Sequence, residues 1–215
     1  GAGMSGTFMS SLLREKRKNV LILEKSSGIG GRLSTKPIES QIADYGCQYI
    51  KPKTAISVHL SNKLENLGLL SEITLDTNKR VFIAPFGMNK IPQYFSRNTR
   101  VLSNTLVKRI LHKKTGWEVF TESGSFSSLS VVLTMPIPQV ETLLRNSAVE
   151  NFILPKVDYL DFHTCTFISD KHSIVDVFSK NESFPWICNN SKKGLRNTVD
   201  AFTANVNKDI TQSLK

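Results

Sequence analysis

Three glycines at the head of the chain, in Gly1-Ala2-Gly3-Met4-Ser5-Gly6, constrain its architecture more tightly than any other stretch. Behind them Met4, Phe8, Leu12 and Leu13 recur at helical spacing, up to the charged run Arg14-Glu-Lys-Arg-Lys18. Val20-Leu-Ile-Leu23 then forms a short continuous apolar run, the pattern of a strand in a parallel sheet. A tight turn, a helix and a strand in that order make up the later part of a βαβ unit. Its first strand is expected before Gly1, and the chain is therefore expected to be truncated there, and at its other end as well.

Each glycine of such a turn has its own physical task. Gly1 permits the sharp bend, Gly3 lets a pyrophosphate approach the backbone, and Gly6 allows close helix packing. The helix N-terminus behind them offers free N–H groups and partial positive charge to an anion. Glu24 closes the apolar strand 18 residues after Gly6, near the ~20 at which a carboxylate accepts adenosine ribose hydroxyls. An exposed acid at a strand end is the plainer reading of Glu24 alone; turn and carboxylate together point to a dinucleotide.

The next stretch, Ser27-Gly28-Ile29-Gly30-Gly31-Arg32, separates two kinds of dinucleotide site. A nicotinamide-binding unit passes directly into a crossover helix, whereas this chain stays in a glycine-rich loop ending in an arginine. The planar donor fork of Arg32 suits an anion; a glycine hinge with a surface arginine is the alternative. Lys25 and Gly31, neighbours of Glu24 and Arg32, count with them as candidate cofactor contacts, Lys25 being equally a solvated charge.

Further along, the pattern predicts an extended loop over 26–37, a strand over 41–50, a helix over 55–67 ending near Gly68, and a strand over 80–84. The turn Pro85-Phe86-Gly87 leads to a short helix over 88–95. Strands are expected near 100–103, 106–111 and 117–121, with Gly124 in a turn. The apolar run 129–135 reads as another buried strand, broken at Pro136-Ile137-Pro138 before a helix over 139–145. Strands over 162–169 and 174–178 follow, and the last stretch is polar.

Bulk properties narrow the partners. No apolar run approaches the ~18 residues of a membrane helix, and the first residues lack a signal peptide's basic and apolar regions; the expectation is a cytoplasmic protein with no membrane partner. Cys47, Cys165 and Cys188 form no Cys-x-x-Cys pair, so neither a disulfide framework nor a metal site is expected. The net charge of +10 is unusual. Its basic residues are scattered, Lys192-Lys193 among them, and read as solvated faces and loop ends. No aromatic-interleaved basic strand marks nucleic acid, so an anionic small molecule is the expected partner.

The stretch Glu24-Lys-Ser-Ser-Gly-Ile-Gly-Gly-Arg32, followed by Ala43-Asp44-Tyr45-Gly46-Cys47-Gln48-Tyr49, resembles the renalase family within the FAD-linked amine oxidase group. Phe82-Ile-Ala-Pro-Phe-Gly87-Met88, Val131-Val-Leu-Thr-Met-Pro136-Ile-Pro138 and Trp186-Ile-Cys-Asn-Asn-Ser-Lys-Lys193 continue the likeness in the family's order. It implies FAD as cofactor, with contacts at Ser5, Glu24 and Arg32, and with Gln48 and Tyr49 near the isoalloxazine.

The fold expected is α/β of mixed α+β type: an FAD-binding Rossmann-like layer with a parallel sheet, plus an inserted substrate domain with an antiparallel sheet. Residues 1–52 and 99–145 are assigned to the FAD-binding part, 53–98 and 146–215 to the substrate part. The resemblance implies an oxidoreductase that oxidises reduced nicotinamide dinucleotide isomers with dioxygen and releases hydrogen peroxide. Amine oxidation, or a non-catalytic nucleotide-binding fragment, are the alternatives. No residue emerges as a catalytic acid or base.

Overall fold

The glycine turn leads directly into a helix. In the computed structural model, which describes residues 1–75, 79–159, 162–170, 177–179 and 186–206, α1 (Met4–Glu15) starts at Gly3 and feeds β1 (Leu21–Leu23). The glycine-rich loop ends in a short 3-10 turn, Gly31–Leu33, before the hairpin β2 (Thr35–Ile38) and β3 (Gln41–Asp44). Next come α2 (Ala55–Asn66), the hairpin β4 (Ser71–Leu75) and β5 (Lys79–Ile83), and α3 (Lys90–Ser96). Then follow β6 (Arg100–Leu102), β7 (Val107–Lys113), β8 (Gly116–Thr121), β9 (Gly124–Ser128) and α4 (Ile137–Asn146). The last described elements are β10 (His163–Ser169), β11 (Phe178–Ser179), β12 (Trp186–Asn189), the single turn α5 (Asn190–Lys193) and β13 (Asp200–Val206). The fold is mixed α/β.

These elements divide into two compact units. Unit 1 is Gly1–Gly31 with Pro92–Tyr159. Here β1 and β6 pair in parallel, Ile22 opposite Val101, and β7, β8 and β9 form an antiparallel meander. Its core gathers on Ile110, Val119 and Leu143, with Leu23, Val131, Leu133 and Met135 packed against them. Unit 2 is Arg32–Ile91 with Leu160–Lys215. Its largest sheet runs β10-β13-β12-β11, antiparallel throughout, around Ile187, Phe202 and Ala204.

Several elements depart from the sequence expectation. The apolar face foreseen for α1 is only half-buried; its buried residues are Thr7 and Ser10. Thr7 donates its hydroxyl to the Gly3 carbonyl at 3.0 Å, and Ser10 shares a hydrogen bond with Thr99, so small polar side chains enter the interior already satisfied. The stretch 26–37 is not loop throughout, because its end forms β2 against β3. The expected strand 41–50 stops at Asp44, where the chain turns through Tyr45–Gly46. Residues 129–135 have no ladder partner among the described residues and are not a strand. Their hydrophobicity is one-sided instead: Val131, Leu133 and Met135 meet the core while Val132 is exposed. Of the expected strand 174–178, residues 174–176 lie outside the described residues.

Candidate functional site

In unit 1 the turn, the strand end and the glycine loop come together. Gly3 is the N-cap of α1 in extended conformation, with no side-chain cap and no acidic residue in the first turn. The helix's leading N–H groups thus carry the partial positive charge of the dipole with no capping side chain and no acidic residue of the first turn on them. The loop folds back on this turn: Gly30 donates its N–H to the Ala2 carbonyl at 3.0 Å, and Gly3 and Gly30 form an isolated parallel bridge.

The glycines differ in what they answer to. A Cβ at Gly6 would lie 2.0 Å from the Gly1 carbonyl oxygen, an impossible approach, so helix packing requires glycine there. A Cβ at Gly3 would meet only Gly30 and Gly31 at 3.8 Å, ordinary contact distance. Among the described residues no close contact demands glycine at position 3.

Glu24 is 7% exposed. One carboxylate oxygen accepts the Ala2 N–H at 2.7 Å and the other the Ser26 N–H at 2.8 Å. The side chain therefore fastens the turn to the strand end. Burial depresses the pKa of the Gly1 amino group, and the neighbouring Glu24 charge partly opposes that. Ser5 is exposed in the first turn of α1, Lys25 is exposed beside Glu24, and Gly31 is exposed at the end of the loop.

The remaining sequence candidates lie in unit 2. Arg32 presents an exposed side chain, while its carbonyl accepts the Cys47 N–H at 2.8 Å. A Cβ on Gly46 would come within 2.1 Å of that same carbonyl, so the Asp-x-Gly motif is glycine because the Arg32 backbone passes against it. Tyr49 is half-buried, edge-on to Phe178 at 5.2 Å between ring centroids. Gln48 is buried and its amide is committed inside the unit: its nitrogen donates to the Asp44 and Gly46 carbonyls.

The Gln48 oxygen leads to a group that sequence reasoning missed. Lys193 Nζ donates to Gln48 Oε1 at 2.8 Å and to Asp44 Oδ2 at 2.7 Å, and both charged side chains are completely buried. Asp44 Oδ1 also accepts the Met88 N–H at 2.8 Å and the Thr35 hydroxyl at 2.6 Å. Thr203 donates to the Asp44 carbonyl and receives Asn190 Nδ2. Lys193, read from sequence as a solvated charge, is thus an interior residue. Its doublet Lys192-Lys193 gave no hint of this; the signal lay in Asp44, a carboxylate in a strand whose neighbours are buried.

The thiols sit apart from this chemistry. Burial pushes the Cys188 thiol up to about 12 and also raises that of Cys47, which donates to the Tyr49 carbonyl. Neither is poised as a thiolate nucleophile. Among the described residues no three His, Cys, Asp or Glu side chains are grouped to hold a metal ion, and no helix is long and apolar enough to cross a membrane.

Residues 1–63 match the family model of the NAD(P)-binding Rossmann-like domain. No curated protein sequence matches the chain. Among solved structures, a double mutant of putrescine oxidase superposes with a TM-score of 0.74 at 11% identity, over 100% of this chain and 76% of that one. Wild-type putrescine oxidase bound to putrescine gives 0.71 at 12% identity, over 100% and 76%. A protein from Exiguobacterium sp. 255-15 named as a protoporphyrinogen oxidase gives 0.67 at 12% identity, over 99% and 79%. At such identities the likeness is one of fold: a Rossmann-like layer combined with antiparallel sheet, as these oxidases have it.

Proposed function

We propose that the chain is the cofactor-binding part of an FAD-dependent oxidoreductase, with unit 1 taking the adenosine and pyrophosphate portion of the cofactor. One observation carries the reading: a helix N-terminus without a side-chain cap, a glycine whose Cβ position meets only ordinary contacts and a buried carboxylate come together at one turn. These groups fit the cofactor. The leading N–H groups of α1 would donate to phosphate oxygens approaching over Gly3. Each Glu24 oxygen accepts one backbone N–H and keeps a lone pair for a ribose hydroxyl. Arg32 would add its fork to an anionic portion, Ser5 its hydroxyl, and Tyr49 its ring edge to the isoalloxazine. Gln48 would act through its neighbours, since its amide is spent on Asp44, Gly46 and Lys193.

Bound flavin supplies the redox chemistry, accepting a hydride and passing electrons to dioxygen with release of hydrogen peroxide. The protein's share is to bind and orient it. The donor we propose is a reduced nicotinamide dinucleotide in an isomeric form. The motif resemblance and the net charge of +10 support an anionic donor. A second reading, amine oxidation, is favoured by the fold shared with putrescine oxidase, although a cationic amine would be repelled by a positive field.

The visible spectrum of the purified chain tests the cofactor: a yellow protein releasing FAD on denaturation is expected, and a colourless chain that takes up no added FAD overturns the reading. Anaerobic bleaching then separates the donors. Dihydronicotinamide isomers should bleach the flavin, whereas bleaching by putrescine alone moves the assignment to amine oxidation.

A further inference from the structure

We infer that unit 1 carries a docking face for an anionic lipid surface, built where the end of α1 and the entry to β6 lie side by side. This face stands apart from the cofactor turn, at the other end of α1.

Two basic stretches far apart in the chain meet here. Arg14-Glu-Lys-Arg-Lys18 closes α1 and leads toward β1, while Arg97-Asn-Thr-Arg100 leads into β6. β1 and β6 run in parallel with Leu21 opposite Arg100, so both stretches enter the sheet at the same end. Ser10, one helical turn before Arg14, shares a hydrogen bond with Thr99 and holds them together. Arg14, Lys16, Arg17, Lys18, Arg97 and Arg100 are all exposed, and Glu15 is the one acid in the two stretches. Half of the chain's net charge of +10 is thus gathered at one place.

These cations are also unpaired. Elsewhere in unit 1 Lys108, Lys113 and Arg145 each meet a carboxylate, from Glu122, Glu118 and Glu141. None of the six forms an ion pair among the described residues; Arg97 stacks on the Tyr94 ring at 4.3 Å, which leaves its charge in place. Cations at a helix C-terminus answer the dipole, but Lys18 and Arg100 lie beyond the last turns of α1 and α3. Arg17 takes φ 56° at the position after the helix where glycine is the ordinary occupant. The Lys18 N–H closes the helix on the Leu13 carbonyl at 3.0 Å, and a cation is kept at Arg17 against the backbone preference.

Apolar side chains among the cations select the partner. Met9 and Leu12 are each 41% exposed and precede Lys16 on the outward stripe of α1. Leu21 is exposed beside Arg100. A nucleic acid offers phosphates but no place for such residues. An anionic bilayer surface takes both, the cations at its headgroups and the apolar side chains at the acyl boundary. No helix among the described residues is long and apolar enough to cross a membrane, and contact at the surface needs none. The 12 residues of α1 put this face about 18 Å from Gly3. That exceeds the ~10 Å screening length at 0.1 M salt, so lipid and cofactor would not compete.

Flotation with vesicles of phosphatidylcholine alone, or of phosphatidylcholine with about one third phosphatidylserine, tests this on the intact chain. It should bind the mixed vesicles and ignore the neutral ones. Lys16→Gln, Arg17→Gly and Lys18→Gln together should weaken that binding about 100-fold, at about fivefold per charge near the surface. Lys108→Gln, Lys113→Gln and Lys114→Gln lower the net charge equally but lie on or beside β7, and should weaken it less than about threefold. Equal weakening by the two sets overturns the inference, since attraction would then follow net charge and not this face. Arg17→Gly alone should raise Tm by relieving the positive φ while weakening binding about fivefold, which separates lost binding from lost folding. A chain that ignores the phosphatidylserine vesicles overturns the lipid assignment. If it then binds a polyglutamate peptide through the same three residues, the occupant is an acidic protein segment instead.

Discussion

The Glu24 carboxylate accepts the backbone N–H of Ala2 at 2.7 Å, joining the end of a strand to a turn 22 positions earlier in the chain. A residue proposed from sequence as a ribose acceptor is therefore also a clamp in the protein alone. Glu24→Gln keeps the shape but replaces an anion with an amide that can accept at only one end. Charge-assisted bonds of this kind contribute about 1.5–3 kcal/mol each. The variant should lose about 2 kcal/mol in urea denaturation without any ligand, and should bind FAD at least tenfold more weakly by calorimetry. A wild-type urea midpoint would show that the clamp is energetically silent.

Gly3 and Gly6 offer the same substitution with opposite outcomes. At Gly6→Ala the new Cβ would occupy space 2.0 Å from the Gly1 carbonyl oxygen, so the turn must move and the chain should be severely destabilised. Gly3→Ala adds a methyl at ordinary contact distance, with extended backbone on a negative φ. It should change stability by less than about 1 kcal/mol while abolishing measurable FAD uptake, if the pyrophosphate approaches over Gly3 as proposed. Thermal melts of both variants beside a flavin titration of Gly3→Ala decide the matter. Full FAD binding by Gly3→Ala would remove the pyrophosphate from this turn.

What could be read from sequence was local. The Gly1–Gly6 turn, α1 and β1 are specified by short-range spacing and hydrophobic period, and they form within a residue or two of where the pattern puts them. Residues 129–135 misled because a continuous apolar run does not say whether one face or two are covered, and here only one is. The end of β3 at Asp44 was hidden for a different reason. Asp44 is bound by Met88, Thr35 and Lys193, partners 44, 9 and 149 positions away, and no periodicity within the strand announces them. Lys193 was illegible on the same ground: its burial depends wholly on a carboxylate far off in sequence.

That ion pair makes a strong prediction of its own. Removing one partner of a buried pair strands the other charge, at a cost of about 3–5 kcal/mol. Lys193→Met should therefore lose that much stability in urea, far more than Lys192→Met, whose residue is exposed at the preceding position. Lys193→Met combined with Asp44→Asn should lose less than the sum of the two single changes, by at least about 1 kcal/mol. Strict additivity would mean that the two residues do not act as a unit, whatever their separation of 2.7 Å.

Cys188 sets how the fold answers to alkali. Its side chain is fully buried in β12, and burial pushes the thiol up from 9.0 to about 12. The folded thiol thus holds its proton through a range in which the unfolded one releases it. In that range the unfolded chain binds fewer protons than the native one, so stability falls as pH rises. The contribution is fully present below about pH 9 and is lost progressively toward about pH 12, with a limiting slope of about 1.4 kcal/mol per pH unit from this one group. Cys188→Ala removes the titration at the expense of a small cavity. The variant should be slightly less stable than wild type at pH 8 and should lose less on going to pH 10.5, so the two stability curves converge. Urea midpoints at the two pH values measure this directly. Parallel curves would show that the Cys188 thiol titrates alike in the folded and unfolded chains, and that the alkaline loss belongs to other groups.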